Sequence, residues 1–425
     1  MNETPEQFLD RAGSVLIGNY ARQPVEMVRG RGSRLWDSRG REFIDLFAGF
    51  GGGILGHCHP ELVAAAVEQA TQLWHVGNTY HTHPQVEFAE RLKKHAFDGR
   101  AFFCHSGLEA NEAAVKLARL RGLANGGKRW KTVSLIKSFH GRSLAMIAAT
   151  GNPDVKAGFG PPVPGFANVD PNDWDAIVRA VDDETAAILM EPIQGEGGIN
   201  VFATDHVARI RKLCDDQGIT LIFDEVWCCG GRTGRWFGHQ WFETSAAPAG
   251  TADSLSPQAL AFRAPGARSA CITPDIMTLG KAVGGGLPVG VMWARPEIAA
   301  LMIPGKHGCT LGGNPICMAV ARTIFDVIER EGLVGRAARL GDVVIDRLRN
   351  TPSIASKVKD VRGHGLFLGI ELNDEPKEFI ARGLEAGVIL NVTYKKILRI
   401  APAIDIPEAD LHEGIARLIR VIEAS

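Results

Sequence analysis

The chain has 425 residues, 45% of them hydrophobic and 22% charged, with a formal net charge of −1. That balance gives no electrostatic footing for binding nucleic acid or an anionic membrane surface. The length allows two compact domains around a large core, and no apolar run reaches the length that a membrane span needs.

The N-terminal stretch "MNETPEQFLDRAGSVL" is acidic and polar before any apolar run, unlike a secretory signal. A cytoplasmic protein with reduced thiols is the expectation. Its eight cysteines form no zinc signature: Cys228 and Cys229 are adjacent, and His57, Cys58 and His59 alternate too closely to converge on one ion. No metal site is expected.

From about residue 60 to 295, strand-like and helix-like segments alternate. "PELVAAAVEQATQLW" (60–74) has helical periodicity, "AFFC" (101–104) is strand-like, and "EANEAAVKLARLRGLA" (109–124) is a strong helix. Then come "TVSLI", "AAILM", the helix "DHVARIRKLCDDQG", "TLIFDEV", "DIMTL" and "PVGVMWA". Apolar strands separated by amphipathic helices predict an α/β fold, a mostly parallel sheet covered on both faces. The Ala-, Ser- and Pro-rich stretch 245–270 breaks this rhythm and reads as a surface insertion. Beyond about 320, "GLFLGIEL" and "ILRIAP" read as strands and "EADLHEGIARLIRVIEA" as a helix, giving a smaller α+β domain.

Binding sites in such sheets gather at the carboxyl ends of the strands, and the chemistry-bearing residues fall there. In "CHSGLEANEAAVK" a strand ends, Ser106-Gly107-Leu108 turns, and a helix begins near Glu109. Free backbone N–H groups and the positive end of the helix dipole make a phosphate site; the plain alternative is a capping box of Ser106 with Glu109. "TLIFDEV" places Asp224 and Glu225 at a strand end, where a carboxylate can bind metal, act as a base or keep a ring nitrogen protonated, or simply cap a turn. "SFHGRSLA" sets Phe139, His140 and Arg142 after another strand. An aromatic there can stack on a planar ring and an arginine can clamp a carboxylate; a packed Phe and a solvated Arg are the alternative. Lys281 lies between the apolar "PDIMTLG" and three successive glycines. A lysine in that position either snorkels outward or is a desolvated amine able to form a Schiff base. Phosphate cradle, stacking aromatic, ring-nitrogen carboxylate and Schiff-base lysine are together the needs of pyridoxal 5′-phosphate, PLP.

The same residues sit in motifs that resemble the class III (ω-amino acid) aminotransferases of PLP fold type I, most closely their N-acetylornithine branch. The resemblance runs through "GILGHCHPELVAA", "LWHVGNTY", "SGLEANEAAVKLAR", "SFHGRSLA", "GFGPPVPGF", "MEPIQGEGGI", "FDEV", "GRTGRWF", "PDIMTLGKAVGGGLPVG", "TLGGNP" and "LRIAPAI" in that order. It implies a large PLP-binding domain (61–320) with a mostly parallel seven-stranded sheet, and a small domain formed by 321–425 with a contribution from 1–60.

By the same resemblance, Lys281 carries the cofactor and shuttles the proton, and Asp224 pairs with the ring nitrogen. Ser106, Gly107 and Leu108 hold the phosphate and Phe139 stacks on the ring. His140, Val226 and Trp227 complete the cofactor set. Thr310 reaches the phosphate of a neighbouring subunit, which implies a homodimer with a shared site. Arg399 binds the α-carboxylate of glutamate, and Arg142 binds the carboxylate farther from the reacting amine. Glu196 is a gate that pairs with Arg399, and Glu191 orders the ring's surroundings. The implied reaction moves the terminal amino group of an N-acetylornithine-like compound to 2-oxoglutarate. A 4-aminobutyrate or ornithine aminotransferase, and a non-catalytic relative, are the rivals. A nucleotide-binding protein lacks its G-x-x-x-x-G-K-[ST] motif here.

The chain departs from the family pattern at "DEVWCCGGRTG", where the family reads "DEVQTGFGRTG" or a near variant. Trp227 stands where a glutamine often bonds the cofactor's 3′-oxygen, and an indole can only donate. Leu108 replaces a smaller or hydroxylated residue.

Overall fold

A computed structural model describes residues 3–244 and 270–425, so the expected insertion lies, but for Ala270, outside the described residues. Seven strands form the central sheet, in the spatial order Arg100–Cys104, Gly290–Ala294, Ile276–Leu279, Thr220–Asp224, Thr185–Met190, Lys131–Leu135 and Phe166–Val169. Five of these run parallel in succession, from Ile276–Leu279 to Phe166–Val169. Gly290–Ala294 is antiparallel to both of its neighbours. The apolar run "PVGVMWA" carries no mark of direction, because a strand buried on both faces reads the same either way.

Thr185–Met190 and Thr220–Asp224 are buried at every position, as expected of strands covered on two sides. One face packs on the helix Gly107–Leu123 through Ala113, Ala114, Leu117 and Ala118. These small side chains let the helix lie close to the sheet. The other face packs on Thr204–Gln217 through Val207, Ile210 and Cys214. Burying each large aliphatic side chain contributes roughly 1.5–3 kcal/mol, so Leu221→Asp, in the middle of the sheet, would break this core.

The helix Gly107–Leu123 begins two residues before the sequence pattern placed it, because Ser106 caps it by accepting a hydrogen bond from the Glu109 N–H at 3.3 Å. The chain beyond 320 first supplies the remainder of the helix Pro315–Arg330 and then Leu333–Arg349. An antiparallel four-stranded sheet follows, in the order Val358–His364, Phe367–Leu372, Ile397–Ile400 and Asn391–Thr393. The N-terminal strands Met27–Arg31, Arg34–Asp37 and Glu42–Asp45 pair with Val388–Ile389, so both ends of the chain share one sheet. Among the described residues, no helix is long and apolar enough to cross a membrane.

Candidate active site

The carboxyl ends of the parallel strands and the start of the helix Gly107–Leu123 enclose a cavity of about 300 Å³. Ser106, Gly107, Leu108, Phe139, His140, Arg142, Glu191, Asp224, Val226, Trp227 and Lys281 all line it. Phe139 and Arg142 also line an outer cavity of about 590 Å³, together with Glu196. Arg399 stands behind Trp227, its guanidinium carbon 4.9 Å from the indole centroid. Thr310 lies apart from this group, exposed on the loop before Pro315.

Asp224 ends its strand almost wholly buried. Its Oδ2 accepts from Asn111 Nδ2 at 2.7 Å and lies 2.9 Å from His140 Nδ1, and its Oδ1 accepts from the Val226 N–H at 3.1 Å. Asn111 Oδ1 in turn accepts from the Thr278 hydroxyl at 2.6 Å. This chain of bonds fixes the carboxylate's position without an ion pair to lysine or arginine among the described residues. Asn111 and Thr278 were not anticipated. The available signal was a lone amide on the alanine-rich buried face of a helix, and a threonine one residue short of its strand's end.

Lys281 follows the strand Ile276–Leu279 and opens a short helical turn with a φ of +46°. That left-handed conformation is rare for a residue with a side chain and persists only where the surroundings enforce it. Its amine makes no hydrogen bond or ion pair among the described residues, and lies 4.4 Å from the Trp227 ring centroid. Burial pulls the amine below the usual lysine value, opposed by the negative charges of Glu196, Asp224 and Glu191. Glu191 is pushed well upward by burial and by the charge of Asp224. Its two oxygens accept from the backbone N–H groups of Phe139 and Gly195, at 2.9 and 3.0 Å.

Glycine at 107 is required by close approach: a Cβ there would meet Val226 Cγ2 at 2.5 Å. The helix start is therefore pressed against the strand end that carries Asp224. Ser106 keeps its capping role while it lines the cavity, its hydroxyl also donating to Glu109 Oε2 at 3.2 Å. His105, Glu109 and Cys309 bring ligand-type atoms within 4.8 Å of one another near this turn. They are hydrogen-bonded among themselves, with 3.1 Å from His105 Nδ1 to Glu109 Oε1 and 3.3 Å from Cys309 Sγ to His105 Nδ1.

Arg399 is 2% exposed. Its Nη1 lies 2.7 Å from Glu196 Oε1, and its Nε donates to Asn391 Oδ1 at 2.8 Å. Arg142 is exposed, with its guanidinium carbon 5.6 Å from the Phe139 ring centroid and no carboxylate in reach among the described residues. Cys228 and Cys229 are core residues. Burial pushes the Cys229 thiol up to about 12 and that of Cys228 well above its usual value, so both stay protonated and pack as small apolar groups. Arg232 was also missed. It is fully buried and donates to the carbonyls of Gly51, Leu366 and Pro402, tying the N-terminal loop to the C-terminal strands; burial lowers its pKa to about 10.

Residues 17–251 and 266–422 match the class III aminotransferase family. The acetylornithine aminotransferase of Methanocaldococcus jannaschii is 38% identical over 98% of this chain and 97% of its own. Acetylornithine aminotransferase 1 of Bordetella pertussis is 39% identical over 96% of this chain and 98% of its own. An ornithine aminotransferase from Toxoplasma gondii, whose active site holds PLP at partial occupancy, superposes with a TM-score of 0.87 at 28% identity, covering 100% of this chain and 95% of that one. The acetylornithine aminotransferase of Elizabethkingia anophelis superposes with a TM-score of 0.82 at 27% identity over the whole of both chains. With a family match over most of its length, relatives of this identity, and the fold they share, the chain belongs to the class III aminotransferases.

Proposed function

We propose that the chain is a PLP-dependent aminotransferase that moves the terminal amino group of an N-acetylornithine-like compound to 2-oxoglutarate, leaving an aldehyde and glutamate. The observation that carries this reading is the Lys281 amine, desolvated and without a hydrogen bond or ion pair among the described residues. It faces one cavity with the Asp224 carboxylate and the start of the helix Gly107–Leu123. The cavity's donor set fits the cofactor. The backbone N–H groups of Gly107 and Leu108 suit its phosphate, Phe139 offers a ring face, and Asp224 offers a carboxylate held by Asn111, His140 and Val226. His140 Nε2 is buried with no partner among the described residues, while its Nδ1 lies 2.9 Å from Asp224 Oδ2.

When bound, PLP supplies a carbonyl carbon that exchanges its oxygen for an amine nitrogen, and a pyridine ring that takes up the electron pair released as a Cα–H bond breaks. The protein's part is binding and proton movement. Burial lowers the Lys281 pKa, so its neutral form, which accepts a proton and returns it, is more available than in a solvated lysine. Asp224 keeps the ring nitrogen protonated, and the bonds from Asn111, His140 and Val226 hold it there.

Substrate recognition rests on the two arginines. Glu196 neutralises Arg399 when the substrate brings no carboxylate to it, and withdraws when glutamate does. Arg142, at the outer cavity and without a carboxylate partner among the described residues, suits a carboxylate remote from the reacting amine. The relatives named for acetylornithine support that donor, and the ornithine aminotransferase folds support ornithine as the alternative.

A homodimer follows from the same reading. Trp74, Tyr80 and Leu311 are 69%, 67% and 51% exposed, and their loops are bonded together through Asn314 to the Trp74 carbonyl and Asn78 to the Cys309 carbonyl. So much apolar surface beside Thr310 suits a partner subunit. A cytoplasmic location agrees with its free cysteines.

The test follows each half-reaction separately by cofactor absorbance, with N-acetylornithine, ornithine and 4-aminobutyrate as donors and 2-oxoglutarate and pyruvate as acceptors. N-acetylornithine and 2-oxoglutarate should give the highest kcat/KM. A clear preference for pyruvate would remove the Arg399–Glu196 reading.

A further inference from the structure

Arg399 has one carboxylate partner among the described residues, Glu196. Any substrate carboxylate that binds Arg399 must displace that partner. Arg399 then keeps its bonds to Asn391 Oδ1 at 2.8 Å and the Gly195 carbonyl at 3.4 Å but has no counter-charge among the described residues. A guanidinium this deeply buried needs a further compensating contact. Three aromatic rings surround it. Its guanidinium carbon lies 4.9 Å from the Trp227 centroid, 5.1 Å from Phe47 and 6.0 Å from Phe50. A π-face attracts a cation without accepting an in-line hydrogen bond, so it leaves the N–H fork free for a carboxylate. A glutamine or a second acid at the same position would compete for that fork.

The chain makes room for this ring. A Cβ at Gly195 would meet Trp227 Cδ1 at 2.5 Å, and one at Gly51, whose φ is +75°, would meet Cζ3 at 2.4 Å. Phe367 stacks on the indole with a centroid distance of 5.1 Å and an interplanar angle of 11°. The indole is 4% exposed, and its Nε1–H has no partner among the described residues. The ring is therefore fixed by packing, and the contacts it makes to Arg399 and Lys281 are contacts of its face.

We propose that Trp227 is a specificity-determining residue, the rigid aromatic wall that holds Arg399 in its carboxylate-binding position once Glu196 withdraws. It thereby favours substrates with a carboxylate beside the reacting carbon, the 2-oxo and 2-amino dicarboxylates. The proposal rests on the reading of Arg399 and Glu196 given above.

The test is calorimetric binding of glutarate, a dicarboxylate without an amine, to the PLP-loaded full-length protein and its W227F, W227L and R399A variants. W227F keeps a π-face and should bind within about threefold of the parent, whereas W227L should lose about tenfold or more. The KM for glutamate should rise in the same order, with kcat changing less. Global replacement of tryptophan by fluorotryptophans weakens the π-face at constant shape. It should weaken glutarate binding progressively in the parent but not in W227F, which settles the matter even if W227L does not fold. Equal loss in W227F and W227L, or no effect of fluorination, overturns the proposal. If R399A binds glutarate as the parent does, the underlying reading of Arg399 fails instead.

Discussion

Glu196 Oε1 stands 2.7 Å from Arg399 Nη1, joining a side chain that is 27% exposed to one that is 2% exposed. The asymmetry fixes which partner can move: the acid reaches the outer cavity, while the arginine is sealed in place by Asn391 and the aromatic rings. Glu196→Gln removes the counter-charge at nearly constant volume. Donors that bring no carboxylate to Arg399 should then lose about tenfold or more in kcat/KM, and glutamate should lose much less. Half-reaction rates with 4-aminobutyrate and glutamate measure the ratio, and equal losses would contradict a gating role.

Asp224 is held by three partners, and the proposed function asks its charge to stabilise a protonated ring nitrogen. Asp224→Asn should lower kcat by about 10²–10³-fold while the protein still binds the cofactor, as followed by visible absorbance. Asn111→Leu should lower stability by about 1–3 kcal/mol, because Asp224 and Thr278 each lose a buried partner. Denaturant midpoints measure the second effect; an unchanged midpoint would show that the network carries no load.

Much of this site could be read from the chain. Strand ends announce themselves as apolar runs that stop, so Asp224, Phe139 and Lys281 could be placed at one crevice before any coordinates. Ser106 could be assigned to a helix start from its spacing to Glu109 alone. Asn111 and Thr278 could not be linked to Asp224, since a bond across 113 or 167 residues depends on how helix and sheet pack. Arg232 was hidden for a related reason. Its acceptors are backbone carbonyls of Gly51, Leu366 and Pro402, which leave no side-chain pattern to detect. The direction of Gly290–Ala294 was equally out of reach.

The amine of Lys281 is drawn below its ordinary 10.5 by burial and raised again by Glu196, Asp224 and Glu191. In the proposed function its neutral form is the nucleophile. The rate at which cofactor-free protein takes up PLP should therefore rise with pH and level off below 10.5. Glu196→Gln deletes a charge that favours the ammonium and should move the profile to lower pH. Stopped-flow absorbance against pH checks both, and a rate still climbing at 10.5 would refute the desolvation argument.

His364 stacks on Trp241 at 4.2 Å, and burial, with the nearby Arg235, lowers its pKa to about 4 from 6.5. The unfolded chain thus binds more protons than the folded one between these values. Stability present above 6.5 is progressively lost as the pH falls toward 4. His364→Gln should flatten this part of the curve of urea midpoint against pH, and an unaltered slope would assign the acid sensitivity elsewhere.

The most direct measurement is to reduce the PLP-treated protein with borohydride and map the adduct by peptide mass. A visible absorption band should precede reduction and a pyridoxyl mass increment should fall on Lys281, with both absent from Lys281→Ala. A protein that stays colourless, or carries its adduct on another lysine, would contradict the proposed role of Lys281.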